Sequence, residues 1–315
     1  MKSYLAIAAT ALSLASPAFA QGVGPLVTPQ ELNAQIETVE PLILDIRTDT
    51  TPDNKLIYEV GHIPTAIPAP YGIFRGPANN PGGLPDIEVL GETLRNIGVE
   101  KDHPVVIVHQ GKDETDFGAA ARVYWTLKSL GVGELAILNG GMRAWEAASL
   151  PVTVDTHSAL RSDAEFTFAD TWLATTDDVR AVVEGKTKAK LVDARPESFW
   201  KGENAHAAAA KPGTLPQSQY FTHSRWFSAD PTLIDAASAK ALAESNGYAS
   251  GDNLVSFCNT GHWAATNWFA LSELAGIEGV KLYPDSMVAW SNAGLPMENV
   301  PGPMTRLWYS IKGIF

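Results

Sequence analysis

The sequence predicts an α/β protein made of two tandem copies of one domain, each a mainly parallel sheet flanked by helices. The first observation is a repeat. Leu42-Ile43-Leu44-Asp45-Ile46-Arg47 matches Lys190-Leu191-Val192-Asp193-Ala194-Arg195 at an offset of 148 residues. Val105 to Val108 matches Leu254 to Phe257 at 149, and Leu138 to Trp145 matches Tyr283 to Trp290 at 145. Three matches in one order with nearly constant spacing point to a duplication. The second observation is the character of the apolar runs, which are short and almost continuous, as strands covered on both faces require. The third is their alternation with helical patterns, such as Ala119 to Leu130 and Ala264 to Leu274.

Taken in order along the chain, Lys2 precedes an apolar stretch from Tyr4 to Leu14, and Pro17-Ala18-Phe19-Ala20 closes it with a small-x-small pattern. Residues 1–20 therefore read as an export leader, with a mature chain from Gln21 and a periplasmic or secreted location. The stretch is too short to span a bilayer, and no later segment reaches spanning length, so no stable membrane insertion is expected. The first copy occupies 21–150. Pro151 to Ala174 forms the connection, although Phe166, Phe168 and Trp172 suggest that part of it packs. The second copy takes 175–315, with the turn cluster Asn246 to Asp252 leading into a central strand that ends at Phe257. The aromatic tail Met304 to Tyr309 reads as a segment folded back over a domain.

Composition narrows the function. The 315 residues carry a formal net charge of -12, with acidic residues dispersed along the chain. Such a surface repels nucleic acid and offers no basic stripe for a phosphate backbone. A small anionic substrate would need a local positive site to offset the global field.

The chain holds one cysteine, Cys258, and so cannot form an internal disulfide. A free cysteine is either a small buried hydrophobe or the reactive atom of a protein. Here Cys258 follows the strand run Leu254 to Phe257 and opens Cys258-Asn259-Thr260-Gly261-His262-Trp263-Ala264-Ala265, a strand, loop and helix-start pattern. That setting places a thiolate among backbone amides, where it is stabilised and where an anion is attracted, and it favours the reactive reading. A solitary thiol also suits an oxidising compartment.

In these marks the chain resembles the rhodanese family, specifically tandem-domain sulfurtransferases with an inactive first copy and an active second one. The marks are Asp45-Ile46-Arg47 and Asp193-Ala194-Arg195, Gly61-His62-Ile63-Pro64-Thr65-Ala66, Gly140 to Trp145, and the cysteine loop with Gly261. In the second copy Pro212 to Ser218 replaces the Gly-His-Ile-Pro stretch. The resemblance implies sulfur transfer from thiosulfate or a mercapto acid to cyanide, a thiol or a protein acceptor, through a persulfide on Cys258 and without cofactor or metal. It also implies that Arg195 contacts the donor's anionic end, a role its planar fork suits. A structural pair with Asp193 or Glu197 is the competing reading, and the duplicated Arg47 supports it. Asn259, Thr260, Gly261, His262 and Trp263 complete the expected substrate loop. His262 could donate to an oxyanion, carry charge near pH 6.5, protonate a leaving group, or cap the cleft. Trp263 reads more as packing than as contact.

Other chemistries fit less well. A cysteine phosphatase needs an arginine where this loop has Ala264, and Gly261 stands without a nucleotide-binding fingerprint. The first copy ends its strand at Val108-His109 and continues Gln110 to Asp116 without a thiol. His109, Asp113 and Asp116 could be read as metal ligands, but a vestigial loop is the simpler account. The alternative to an enzyme is a persulfide carrier, with Tyr220, Phe221, His223, Arg225, Trp226 and Phe227 as a docking lip for a dedicated partner, although a buried core segment explains the same residues almost as well.

Overall fold

A computed structural model of the chain describes residues 23–228, 230–302 and 304–305. The leader segment 1–20 and tail residues 306–309 lie outside the described residues; Met304, at the start of the tail, is exposed. Every element of the first copy after β1 has a sequence-ordered counterpart in the second. The first runs β1 (Leu26–Val27), α1 (Pro29–Gln35), β2 (Leu42–Asp45), α2 (Ile57–Val60), β3 (Ile67–Pro68), α3 (Ile87–Asn96), β4 (Val105–Val108), α4 (Glu114–Ser129), β5 (Leu135–Leu138) and α5 (Gly141–Ala147). The second runs α6 (Thr176–Val183), β6 (Lys190–Asp193), α7 (Glu197–Trp200), β7 (Gln219–Tyr220), α8 (Ala236–Ser245), β8 (Leu254–Phe257), α9 (Trp263–Phe269), β9 (Val280–Leu282) and α10 (Ser286–Asn292). In place of a strand matching β1, Leu173 forms a parallel bridge to Leu282.

Both sheets are wholly parallel, in the orders β1-β5-β4-β2-β3 and β7-β6-β8-β9. The central strands β4 and β8 are buried at every position, which is why their sequences do not alternate. Local signals repeat along with the topology. Thr28 with Glu31 and Thr175 with Asp178 form capping boxes on α1 and α6, while Asp86 and Asp235 cap α3 and α8.

Each sheet has a private core on one face, containing Trp145 in the first copy and Trp290 in the second. The other faces share one continuous core, in which α4 packs on α9. Phe117 and Tyr124 meet Phe269 edge-on with ring centroids 5.6 and 5.0 Å apart, and Glu273 accepts from Tyr124 Oη at 3.0 Å and pairs with Lys128 at 2.7 Å. The 151–174 connection is part of this core. Trp125 sits edge-on to Phe168 and donates its indole N–H to the Trp172 carbonyl at 3.1 Å, while Lys128 lies over the Trp172 ring. Two domains that share side chains this way behave as one packed unit at the face where β8 ends.

Candidate active site

Cys258 leaves the C-terminal end of β8, one of the two interior strands of its sheet, and is 1% exposed. Its loop is pinned from beneath by the first turn of α10. The Cys258 amide donates to Ser286 Oγ at 3.0 Å, and the carbonyls of Cys258 and Asn259 each accept at 3.1 Å from Met287 and Val288. The first copy does the same at His109, whose carbonyl and that of Gln110 accept from Met142 and Arg143. His109 therefore occupies the position of Cys258, and both loops reach their helix after four residues.

The two loops differ in what fills them. In the first, Asp113 caps α4 through Asp116 N at 2.9 Å, and the Asp116 carboxylate folds back to accept from the amides of Gly111 and Lys112 and to meet His109 Nδ1 at 3.0 Å. Burial pushes that carboxyl up, but the His109 and amide hydrogen bonds outweigh it and hold Asp116 below the usual range. In the second, Ala265 stands at the position of Asp116, and α9 has no side-chain cap. Among the described residues, the amides from Asn259 to Ala264 have no protein acceptor. The first loop is thus occupied by its own carboxylate, and in the second the amides that follow the cysteine are left without an acceptor. Asp113 and Asp116 are both committed to this local bonding, and the described residues hold no group of three potential metal ligands.

The predicted arginine is elsewhere in purpose. Arg195 is 2% exposed and forms an ion pair with Asp193 at 2.6 Å, with Nε on the same carboxylate at 2.8 Å, Nη2 on the Gly213 carbonyl and Nη1 on Asn259 Oδ1. Arg47 repeats this with Asp45, the Gly61 carbonyl and Gln110. Four of the five N–H donors of Arg195 are spent inside the protein, so the substrate-contact expectation gives way to a buried clamp that ties strand, loop and cysteine turn together. Asn259, at 5% exposure, has its side-chain oxygen taken by that clamp.

Gly261 has φ +68, and a Cβ there would fall 2.5 Å from Arg122 Nη1 and 2.7 Å from the Pro284 carbonyl, so the residue is confined to glycine by conformation and by space. Thr260 lies under the backbone of Gly82 from the first copy. Trp263 stacks on His223 at 5.0 Å and donates to Thr115 Oγ1 at 3.2 Å, a packing role. His262 spans the interface, with Nε2 at 2.6 Å from the Thr115 carbonyl and Nδ1 at 3.0 Å from Tyr71 Oη. Nε2 must carry the hydrogen, since a carbonyl only accepts, and Nδ1 takes the Tyr71 hydroxyl proton in a hydrogen bond. Burial, opposed by the Thr115 bond and reinforced by the Arg75 charge, pushes His262 down to about 4. A neutral bridge replaces the cationic or acid role that its position in the loop had suggested. The proposed docking lip is also corrected, because Phe221, His223 and Trp226 are all buried, with Trp226 Nε1 donating to Asn267 at 2.8 Å.

His223 is likewise held neutral, pushed down to about 4 by burial against the opposing Ala194 carbonyl bond. Both folded values lie below the ordinary 6.5. The unfolded chain therefore takes up protons that the fold refuses, and stability, full above neutrality, should fall as pH drops from about 6.5 to 4. The loss is up to about 3 kcal/mol for the enclosed His223 and less for His262, which keeps partial contact with solvent. Urea midpoints measured from pH 7.5 to 4.5 should decline in the parent, and His223→Gln should flatten that decline.

Three side chains at this site were not anticipated from sequence, and all come from the first copy. Arg122, inside α4, is fully buried; Nη2 donates to the Gly83 carbonyl at 2.9 Å, while Nε and Nη1 have no partner. Arg75 donates to Tyr71 Oη at 3.0 Å, and that hydroxyl faces His262. The available signal for Arg122 was a lone charge inside the run Ala119-Ala120-Ala121-Arg122-Val123-Tyr124-Trp125.

Comparison with known proteins agrees with this geometry. The rhodanese-like domain profile matches residues 28–148 and again 175–293. The chain is 28% identical over 303 residues to a putative thiosulfate sulfurtransferase of Synechococcus elongatus, covering 93% of this chain and 89% of that one. It is 29% identical to a probable 3-mercaptopyruvate sulfurtransferase of Pseudomonas aeruginosa, covering 84% and 94%. The sulfur carrier protein TtuD of Thermus thermophilus is 26% identical, with 86% and 95% covered. Among solved structures, the 3-mercaptopyruvate sulfurtransferase SseA of Escherichia coli superimposes with a TM-score of 0.70 at 22% identity, covering 83% of this chain and 98% of that one. Wild-type EanB gives 0.74 at 19%, covering 87% and 68%, and at these identities both structures speak to the fold. With a duplicated parallel sheet, a cysteine loop in its second half and the domain profile matched twice, this chain belongs to the rhodanese family.

Proposed function

We propose that the protein is a sulfurtransferase in which the Cys258 thiolate attacks the outer sulfur of a small anionic donor. With thiosulfate, the donor's S–S bond breaks, sulfite leaves with the bonding pair, and the transferred sulfur stays on Cys258 as a persulfide. An acceptor such as cyanide or a thiol then attacks that outer sulfur, and the Cys258 thiolate is the leaving group. One observation carries the reading: the only thiol of the chain sits in a loop whose amides lack acceptors, while the sister loop shows the same amides accommodating an anion. Such donors stabilise the thiolate and the persulfide without reorganising. On the same reading residues 1–20 are an export leader, the reaction runs outside the cytoplasm, and the donor is thiosulfate or a mercapto acid.

Intact-mass measurement of the purified mature chain after thiosulfate, and separately after 3-mercaptopyruvate, should show one added sulfur, and cyanide should remove it with release of thiocyanate. A chain that gains no sulfur from either donor would refute the reading. The similarity to TtuD favours a second reading, in which the persulfide is handed to a dedicated protein. The two separate on turnover: an enzyme consumes donor continuously with cyanide, whereas a carrier stops at one sulfur per chain until its partner is supplied.

A further inference from the structure

The chain carries 35 acidic residues against 23 lysines and arginines, yet two arginines meet beside the cysteine loop with no carboxylate in ion-pair contact among the described residues. Arg122 lies at the centre. It is 0% exposed, its plane sits over the Trp125 ring at 5.0 Å, and its Nη1 is held against Gly261, at 2.5 Å from where a Cβ would be. One hydrogen bond to the Gly83 carbonyl is all it makes, leaving Nε and Nη1 buried and unpartnered. A buried guanidinium without a counter-charge is costly and persists where something else supplies the charge.

The neighbours indicate what that is. Burial pushes Arg122 down to about 10, with the neighbouring Tyr71, Asp285 and Cys258 groups opposing that shift and the Arg75 guanidinium adding to it. Asp285 is not in ion-pair contact with Arg122 and accepts instead from Asn80 Nδ2 at 2.7 Å. Arg75 donates to Tyr71 Oη, which meets His262 of the cysteine loop, and Arg122 Nη1 lies against Gly261 of the same loop, so the two guanidiniums flank that loop at the domain boundary. Arg195 is excluded from it by its own buried pairing.

We propose that Arg122 and Arg75, both from the copy without a thiol, hold the anionic end of the sulfur donor beside Cys258, and that together they select a doubly charged sulfur oxoanion over a monocarboxylate. The inference rests on the sulfur-transfer reading for the identity of the donor. Two cations match a dianion such as thiosulfate, whereas a mercapto acid carries one charge for them to share. Arg122, fully enclosed, contributes the larger part, through the unpartnered Nη1 that lies against Gly261 of the cysteine loop.

The test uses sulfate, an unreactive dianion, as the probe. Alkylation of Cys258 by iodoacetamide is followed by mass at rising sulfate, with chloride keeping ionic strength constant, and again with pyruvate. Sulfate should slow alkylation of the parent at concentrations where pyruvate does not. Arg122→Met should raise the half-protecting concentration by roughly ten-fold or more, Arg122→Lys by less, and Arg75→Gln several-fold. Lys240→Gln, which removes an equal charge from an exposed position on α8, should match the parent. If Arg122→Met fails to fold by circular dichroism, Arg122→Lys and Arg75→Gln decide the outcome. Unchanged protection in the folded variants, absence of protection in the parent, or pyruvate protecting as well as sulfate would overturn the proposal. A parent that is protected by sulfate but never gains sulfur from a donor would keep the anion site and remove the sulfur-transfer reading instead.

Discussion

Replacing Cys258 by serine should abolish sulfur transfer completely and leave the fold intact. The hydroxyl is a far weaker nucleophile toward sulfur, and no second thiol exists in the chain to substitute for it. Serine is smaller than cysteine, and the backbone bonds that position residue 258, to Ser286 and from Met287, do not involve its side chain. Turnover with thiosulfate and cyanide should fall to the uncatalysed rate, and mass spectrometry should show no added sulfur. Melting temperature should move little. Residual transfer above background in the variant would require a route that bypasses this loop.

The largest stability effect is expected at Asp193. Its carboxylate holds Arg195 through Nε and Nη2 and also accepts from Thr214 Oγ1 at 2.7 Å, all at 0 to 2% exposure. Asp193→Ala leaves a buried guanidinium with only the Gly213 and Asn259 oxygens, and the expected loss is about 3 to 5 kcal/mol. Removing both charges by Asp193→Leu with Arg195→Met should recover much of that loss, since the penalty lies in the uncompensated charge. Denaturant midpoints for the single and double variants check this. Arg195→Lys should likewise lower stability more than it lowers donor use, because its function is to brace the loop through Asn259. A stable Arg195→Lys variant with a strongly raised half-saturating donor concentration would return Arg195 to the substrate site.

Much of this architecture was legible in the sequence because parallel strands buried on both faces leave continuous apolar runs, and because duplication prints each local signal twice. The repeated Asp-x-Arg was legible as well, and its presence in a copy without a thiol was the argument for a structural clamp. The cysteine loop announced itself through a lone thiol, a glycine and a helix start. The cationic part of the site did not, for a physical reason. Arg122 and Tyr71 meet the cysteine loop at Gly261 and His262, with Arg75 on the Tyr71 hydroxyl, from 136 or more residues before Cys258 and across an interface that the packing of α4 on α9 creates. Local pattern describes what a segment does for itself, and here one copy's side chains complete the other's loop. His262 misled for the same reason, since both its ring nitrogens are spent on partners in the first copy.

The carboxylate of Asp116, folded into its own loop, has a consequence for how the two halves relate. A loop whose amides are already taken by a tethered carboxylate has no vacant donors for an outside anion, so its own binding no longer constrains its surroundings. The helix behind it is then free to serve the other half, and α4 presents Thr115 and Arg122 to the cysteine loop. The first copy is in this sense a saturated twin, whose filled loop leaves the face of α4 to line its sibling's loop. Losing it would remove a share of the active centre along with a neighbour.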